Sequence, residues 1–239
     1  MGRSLARLFA ERGDLVCLLG RDQTDLDRSA DDLRARNGDG AGNTTHITAL
    51  LCDLEKPYEF GAVLDAADNL LDGLDTVVVT AAMFATQDAL ESDPSLTEKL
   101  LTINFTNTVQ FCEEARKRLL ARGGGTLCAF SSVAGERGRK PIVLYGAAKA
   151  GLSAYLEGLD HKFHDNGLRT VCVKPGFVKT GMTAGLKPPP FAGEPDDVAR
   201  RVLAAIDKGT PVVYAPSMWA LVMFVIRHLP RAVMRRIGF

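Results

Sequence analysis

The chain has 239 residues, of which 46% are apolar, 24% charged and 7% aromatic, proportions that fit a globular domain and exclude a disordered or fibrous chain. Twenty-nine lysines and arginines offset twenty-nine acids, so there is no overall field to hold a long nucleic acid, and no nucleic-acid partner is expected. The five cysteines, Cys17, Cys52, Cys112, Cys128 and Cys172, lack any CxxC spacing and sit mostly in apolar runs, which excludes a secretory disulfide framework and implies buried thiols in a cytoplasmic protein.

Residues 1–13 place Leu5, Ala6, Leu8 and Phe9 on one face and Arg3, Arg7, Glu11 and Arg12 on the other, an amphipathic helix interrupted by charge too often to be a signal peptide. After Gly13-Asp14, the apolar run 15–19 reads as a buried strand that ends at Gly20-Arg21. A charged helix over about 22–36 and a turn-rich stretch 37–45 lead to a second strand, 45–52, ending at Asp53-Leu54. A helix over 58–71 precedes the β-branched strand 76–80. A long helix over 94–122, the strand 126–131, a helix over 145–165 and the strand 169–173 complete the pattern, which Lys174-Pro175-Gly176 stops. Strand and helix alternate, and the strands are apolar on both faces. The expected fold is therefore α/β, a doubly wound parallel sheet in a single domain over 1–239. In such a sheet the ligand crevice lies beyond the carboxyl ends of the strands, at Gly20-Arg21, Asp53-Leu54, residues 80–82, Ser131-Ser132 and Pro175-Gly176.

Tyr145 and Lys149 are four residues apart on one helix face, where an ammonium favours the phenolate and lowers the tyrosine pKa, suiting it to acid–base work. Ser132, thirteen residues before Tyr145 at a strand end, faces the same crevice. Asn104, within the apolar stretch Leu101-Thr102-Ile103-Asn104-Phe105, needs a buried partner for its amide, whether as a core residue or as part of a site. His161 and His164 share a helix face without a third ligand nearby and read as solvated side chains, so no metal is expected.

Together these residues resemble the short-chain dehydrogenase/reductase family over nearly the whole chain: Ser132 with Tyr145-x-x-x-Lys149, and Asn104 in the position of the supporting asparagine. The resemblance implies an NAD(P)-dependent oxidoreductase acting on CH-OH/C=O groups. Tyr145 would transfer a proton to or from the substrate oxygen and Ser132 would hydrogen-bond that oxygen. Lys149 would tune the tyrosine and hold the cofactor ribose, and Asn104 would fix a water in the proton relay. Pro175-Gly176 with Val178 and Thr180 matches the segment bordering the nicotinamide, Asp53-Leu54 the acidic position at the adenine, and Gly2 the last glycine of a phosphate-binding loop. Ala81 falls in the family's Asn-Asn-Ala-Gly segment, which reads here Val79-Thr80-Ala81-Ala82 and has lost the amides that brace the central strand. Where an NAD-preferring member carries an acid, Gly20 stands with Arg21 beside it, so the reading favours NADP(H) over NAD(H). The family's first strand and glycine-rich turn, about fifteen residues, are not found, which suggests that Met1 is an internal methionine and that the sheet lacks its first strand between those at 15–19 and 76–80.

From Lys208 to Phe239 the chain has one lysine, four arginines and no acid, and residues 218–226 are nearly all apolar. This stretch is too short to span a membrane; an interfacial anchor and a helix packed on the core or on a partner subunit are both open. Residues 131–137, 145–151 and the tail, with Ala215-Pro216 and residues 227–231, resemble the decaprenylphosphoryl-2-keto-ribose reductase-like branch of the family. That likeness implies a polyprenyl-phosphate-linked keto-sugar as substrate, peripheral contact at the inner membrane face, and a homo-oligomer built through the helices near 94–122 and 145–165. A 3-oxoacyl or hydroxysteroid-type reductase, and a noncatalytic nucleotide-binding or scaffold protein, are the alternatives.

Overall fold

The computed structural model describes residues 1–37, 46–185 and 187–238. In chain order the elements are α1 (Gly2–Arg12), β1 (Val16–Gly20), α2 (Gln23–Asn37), β2 (Ile47–Leu51), α3 (Phe60–Leu70) and β3 (Thr76–Val79). There follow α4 (Gln87–Ser92), α5 (Pro94–Leu101), a π-helical turn (Thr102–Asn107), α6 (Thr108–Ala121), β4 (Gly125–Phe130), α7 (Val143–Phe163) and β5 (Leu168–Pro175). The chain closes with α8 (Pro195–Lys208), β6 (Val212–Ala215), α9 (Met218–His228) and α10 (Arg231–Met234).

All strand pairings are parallel, as the apolar runs required, but the strands form two sheets: β1-β2, and β3-β4-β5-β6. Between the open edges of β1 and β3 lies a cavity of about 1620 Å³ lined by residues of both strands. It occupies the place where the sequence reading put a missing strand, and no described strand fills it.

Helix α1 spans this division. Its Leu5 joins Val171, Val198 and Val202 in the core under the larger sheet, while Ala6 and Ala10 join Ala30, Leu33 and Ile47 under the smaller one. Gly13, at φ 91, ends the helix in the left-handed conformation that favours glycine, and its N–H is donated to the Ala10 carbonyl. The polar face is tied down by Arg3–Asp25 and Arg7–Asp32, at 3.0 and 2.7 Å to α2, and by Arg12–Asp207, at 2.7 Å to α8.

On the opposite face α3, α6 and α7 close the main core, in which Phe60 meets Phe111 edge-on and Leu119, Leu127, Leu156 and Leu168 are wholly buried. Each such side chain contributes about 1.5–3 kcal/mol of burial free energy.

The structure departs from the sequence reading in several places. The beginning of the second strand, at Thr45, and most of the turn-rich stretch lie outside the described residues; the strand itself runs Ile47–Leu51. The single helix expected over 94–122 is broken by the π-helical turn, where the Thr108 hydroxyl donates to the Ile103 carbonyl at 2.7 Å, supplying a freed backbone acceptor with a side-chain donor. The elements α4, α8, β6 and α10 were not expected, whereas α9 is a C-terminal helix packed on the core, one of the readings left open for the tail. Cys17 is half-buried rather than buried, whereas the other four cysteines are buried, and burial pushes the Cys52 thiol up to about 11, far from reactive. His161 and His164 are exposed, and no group of metal-ligating side chains occurs among the described residues.

Candidate active site

Because every strand is parallel, the residues after β1, β2, β3, β4 and β5 emerge on one side, and the candidates gather there in two groups.

The first group forms where the turn after β4 lies on α7. Gly135 and Gly146 allow this approach: a Cβ on Gly135 would stand 2.6 Å from the Ala150 nitrogen, and one on Gly146 would stand 2.9 Å from the Ala134 carbonyl oxygen. Ser132 caps the short turn Val133–Glu136, its Oγ accepting from the Ala134 N–H at 3.0 Å, and it makes a long contact of 3.4 Å to the Pro175 carbonyl. Across that close contact Tyr145 shares a hydrogen bond with Ser132, and Phe84 packs edge-on against its ring at 5.5 Å.

Burial pushes the Tyr145 phenol up to about 12, against the smaller downward pull of the Ser132 hydrogen bond. This corrects the expectation that Lys149 would lower it. The Lys149 amine is on the same side, 5.9 Å from the Tyr145 ring centre, but it donates to the Phe130 carbonyl at 2.7 Å. It is itself 2% exposed, and burial lowers its pKa to about 8. Desolvation is the leading influence on both groups, and the phenol is neutral through the physiological range.

Asn104, fully buried in the π-helical turn, accepts from the Met83 N–H and donates to the Met83 carbonyl, each at 2.7 Å. This two-point clamp braces the loop after β3, where the Val79-Thr80-Ala81-Ala82 segment has no side-chain amide of its own. Two further residues matter: Asn107, which the sequence reading did not select, and Ser131, which it placed at the crevice without giving it a role. Asn107, three positions on, donates to the Leu54 carbonyl at 2.6 Å and so joins the end of β2 to the same turn. Ser131 donates to the Lys149 carbonyl at 2.8 Å and lies 2.7 Å from Ser153, fixing α7 against β4 beside Ser132. The signal for Asn107 was available, since it is a second amide on the same apolar helical stretch as Asn104.

The second group lines the cavity between the two sheets: Gly2, Arg21, Asp53, Leu54 and Ala81. Ser132, Tyr145 and Lys149 do not line it; Phe84, which lines the cavity and touches Tyr145, joins the groups. Gly2 opens α1 against the end of β3, where a Cβ would fall 2.6 Å from Thr80 Oγ1. Met1 and Gly2 at the start of α1 line the cavity, so the positive end of the helix dipole borders it. Arg21 is exposed, with no ion pair among the described residues, while the neighbouring Asp22 carboxylate is engaged in accepting the Asp25 N–H at 2.8 Å. Asp53 accepts from the Glu55 N–H at 3.0 Å.

A rigid segment after β5 makes the third wall. The Gly176 N–H is donated to the Ala215 carbonyl at 3.1 Å, and Trp219 of α9 lies directly on Gly176, where a Cβ would stand 2.1 Å from the indole nitrogen. Val178 is buried and pairs with Gly193, and Thr180 caps the turn Gly181–Thr183, with Thr183 Oγ1 donating to the Val178 carbonyl at 2.7 Å.

The cavity exceeds the ~300–1,000 Å³ of an ordinary small-ligand pocket because it takes in the gap between the unpaired edges of β1 and β3 and reaches the core at Leu64, Ala67 and Phe111. The start of α1, the Arg21 cation after β1 and the Asp53 carboxylate after β2 all border it, groups whose chemistry fits phosphate and sugar oxygens.

Comparison with known proteins agrees with this geometry. A family model described as short chain dehydrogenase matches residues 1–190. An uncharacterized oxidoreductase of Mycobacterium tuberculosis is 36% identical over 163 residues, 67% of this chain and 65% of that protein, so the match spans just under two thirds of that relative's length. An uncharacterized oxidoreductase of Streptomyces coelicolor is 31% identical over 97% of this chain and 88% of its own. Carbonyl reductase family member 4 of Xenopus laevis is 27% identical over 87% of this chain and 86% of its own. Among solved structures, a short chain dehydrogenase/reductase family protein superposes with a TM-score of 0.75 at 24% identity, covering 89% of each chain. One from Mycobacterium ulcerans reaches 0.79 at 20%, covering 89% of this chain and 82% of the other, and at such identities the likeness is one of fold.

Proposed function

The chain belongs to the short chain dehydrogenase family, and from that premise we propose that it is an NAD(P)-dependent oxidoreductase that reduces a ketone with NADPH, Tyr145 giving the proton. The observation that carries this reading is the phenol of Tyr145, held neutral by burial and hydrogen-bonded to Ser132 at the end of β4. A phenol that keeps its proton at neutral pH is suited to donating it to an alkoxide as that charge develops.

The nicotinamide, when bound, supplies the hydride that the carbonyl carbon receives. The remaining work falls to the protein. The Ser132 hydroxyl hydrogen-bonds the carbonyl oxygen, stabilising its developing charge, and Tyr145 protonates it. Lys149, which keeps its amine close to the phenol, and Asn104, which holds the loop after β3, serve the return of the proton. The first turn of α1 at Gly2 would hold phosphate, Asp53 and Leu54 would border the adenine, and Ala81 would lie against the nucleotide. Pro175, Gly176, Val178 and Thr180 border the carboxamide end. The Arg21 guanidinium, unopposed by a free carboxylate, pairs with a 2′-phosphate and so favours NADPH.

For the substrate we favour a polyprenyl-phosphate-linked keto-sugar. Support comes from the apolar wall beside Ser132, where Val133 packs with Trp219, Val222 and Met223 of α9 and suits an amphipathic ketone. A 3-oxoacyl thioester is the competing substrate, and comparing NADPH oxidation with the two separates the readings. Assembly as a homo-oligomer through α6 and α7 belongs to the same proposal. Tyr145→Phe should reduce turnover at least ~100-fold while leaving NADPH affinity nearly unchanged, as measured by steady-state kinetics and fluorescence titration. Equal turnover in variant and parent would remove Tyr145 from the chemistry.

A further inference from the structure

Helix α9 is apolar on both sides. Its inner face, with Trp219, Met223 and Ile226, packs on Val133 and Tyr214. Its outer face carries Met218, Leu221, Phe224 and Val225 at helical spacing, and the last three are each more than half exposed. A helix apolar all round is ordinarily buried, so this outer face calls for an occupant.

The surrounding charge identifies the occupant's chemistry. Arg227, Arg231, Arg235 and Arg236 are exposed around α9 and α10. Two more cations are fixed at the same rim from the segment before α7: Lys140 donates to the Arg235 carbonyl at 2.7 Å and Arg137 to the Leu229 carbonyl at 2.8 Å. The acid that reaches this rim, Glu136, has a side chain 5% exposed and is engaged by Lys174, by Tyr214 at 3.0 Å and by Arg227 at 3.1 Å. Beyond Asp207 the sequence has no aspartate or glutamate. A second copy of the chain docked through a two-fold contact would set this basic rim against its own image, which like-charge repulsion opposes. Nor does α9 cross a membrane: its 11 residues reach about 16 Å against a hydrocarbon core of about 30 Å, and no helix among the described residues is long and apolar enough to span one.

We propose that α9 and α10 dock the protein on an anionic lipid bilayer, with Leu221, Phe224 and Val225 entering the headgroup boundary and Arg231, Arg235 and Arg236 meeting lipid phosphates. This surface is independent of the reductase reading, yet it adjoins the site: Trp219, on the inner side of the same helix, lies on Gly176. Docking would therefore set the mouth of the cleft at the depth where an amphipathic substrate resides.

Co-sedimentation with vesicles of phosphatidylglycerol and phosphatidylcholine in equal parts, and of phosphatidylcholine alone, tests the proposal; NADPH binding and the thermal midpoint report separately on the fold and the site. The wild-type protein should sediment with the anionic vesicles and leave them as salt screens the contact. The triple variant Arg231→Gln/Arg235→Gln/Arg236→Gln should lose about fivefold in affinity per residue, about a hundredfold in all. Leu221→Ser/Phe224→Ser should abolish sedimentation without altering NADPH binding. Equal partition onto both vesicle types, absence from both, or indifference to either set of substitutions would overturn the proposal. A dimer in solution that Leu221→Ser/Phe224→Ser dissociates would overturn it too, in favour of a second copy as the occupant.

Discussion

Lys149 is a buried amine whose cost to the fold depends on pH in a calculable way. Burial lowers its pKa from 10.5 to about 8. That difference corresponds to about 3 kcal/mol between the two protonation states. The folded value lies below the unfolded one, so between pH 8 and 10.5 the unfolded chain holds a proton that the folded protein has released, and stability rises with pH across that window. Below it the fold carries the whole penalty of burying the charge; above it the penalty is gone. Lys149→Met carries no such penalty at any pH. It does lose the hydrogen bond to the Phe130 carbonyl, at about 1–3 kcal/mol, but by the same amount throughout. The stability gap between parent and variant should therefore move by about 3 kcal/mol in the parent's favour on going from neutral pH to the upper end of the window. Urea denaturation followed by circular dichroism at stepped pH measures this gap, and titrations common to both proteins cancel in it. A gap that stays flat would refute the argument that desolvation governs Lys149.

Two other perturbations test the site. Asn104→Ala leaves both the N–H and the carbonyl of Met83 without their partner and should cost about 2–4 kcal/mol in denaturant unfolding. Arg21→Glu should weaken NADPH binding at least ~10-fold and leave NADH binding unchanged or tighter, by titration of both cofactors; equal effects on the two would show that Arg21 does not read the 2′-phosphate.

The sequence made the parallel sheets legible because strands buried on both faces are continuous apolar runs, and Val16–Gly20, Thr76–Val79 and Gly125–Phe130 lie within a residue of the predicted runs. The amphipathic pattern of α8 was equally readable, with Val198, Val202, Ala205 and Ile206 on one face, Pro195 at its start and Gly209 after its end, and it was overlooked. The four residues of β6 are too few to carry a periodicity. Nor could periodicity reveal the π-helical turn, which depends on a side-chain hydrogen bond from Thr108 and on the tertiary partners of Asn104 and Asn107. At the site, the four-residue spacing correctly put Tyr145 and Lys149 on one side of α7. It could not give the phenol's ionisation, because that depends on how deeply the pair is buried and on the Phe130 carbonyl that takes the amine's hydrogen bond.

The division of the sheet has a consequence for how the native state opens. Backbone pairing joins β1 only to β2, and β3 only to β4, so breaking open the smaller unit does not require breaking any rung of the larger one. They are coupled by the packing of α1, with Leu5 in one core and Ala6 and Ala10 in the other, by Leu19 and Leu50 against the main core, and by the Asn107 hydrogen bond to the Leu54 carbonyl. Amide protons of β1 and β2, each paired along one edge, should therefore exchange with solvent ahead of those of β4 and β5, which are flanked on both sides.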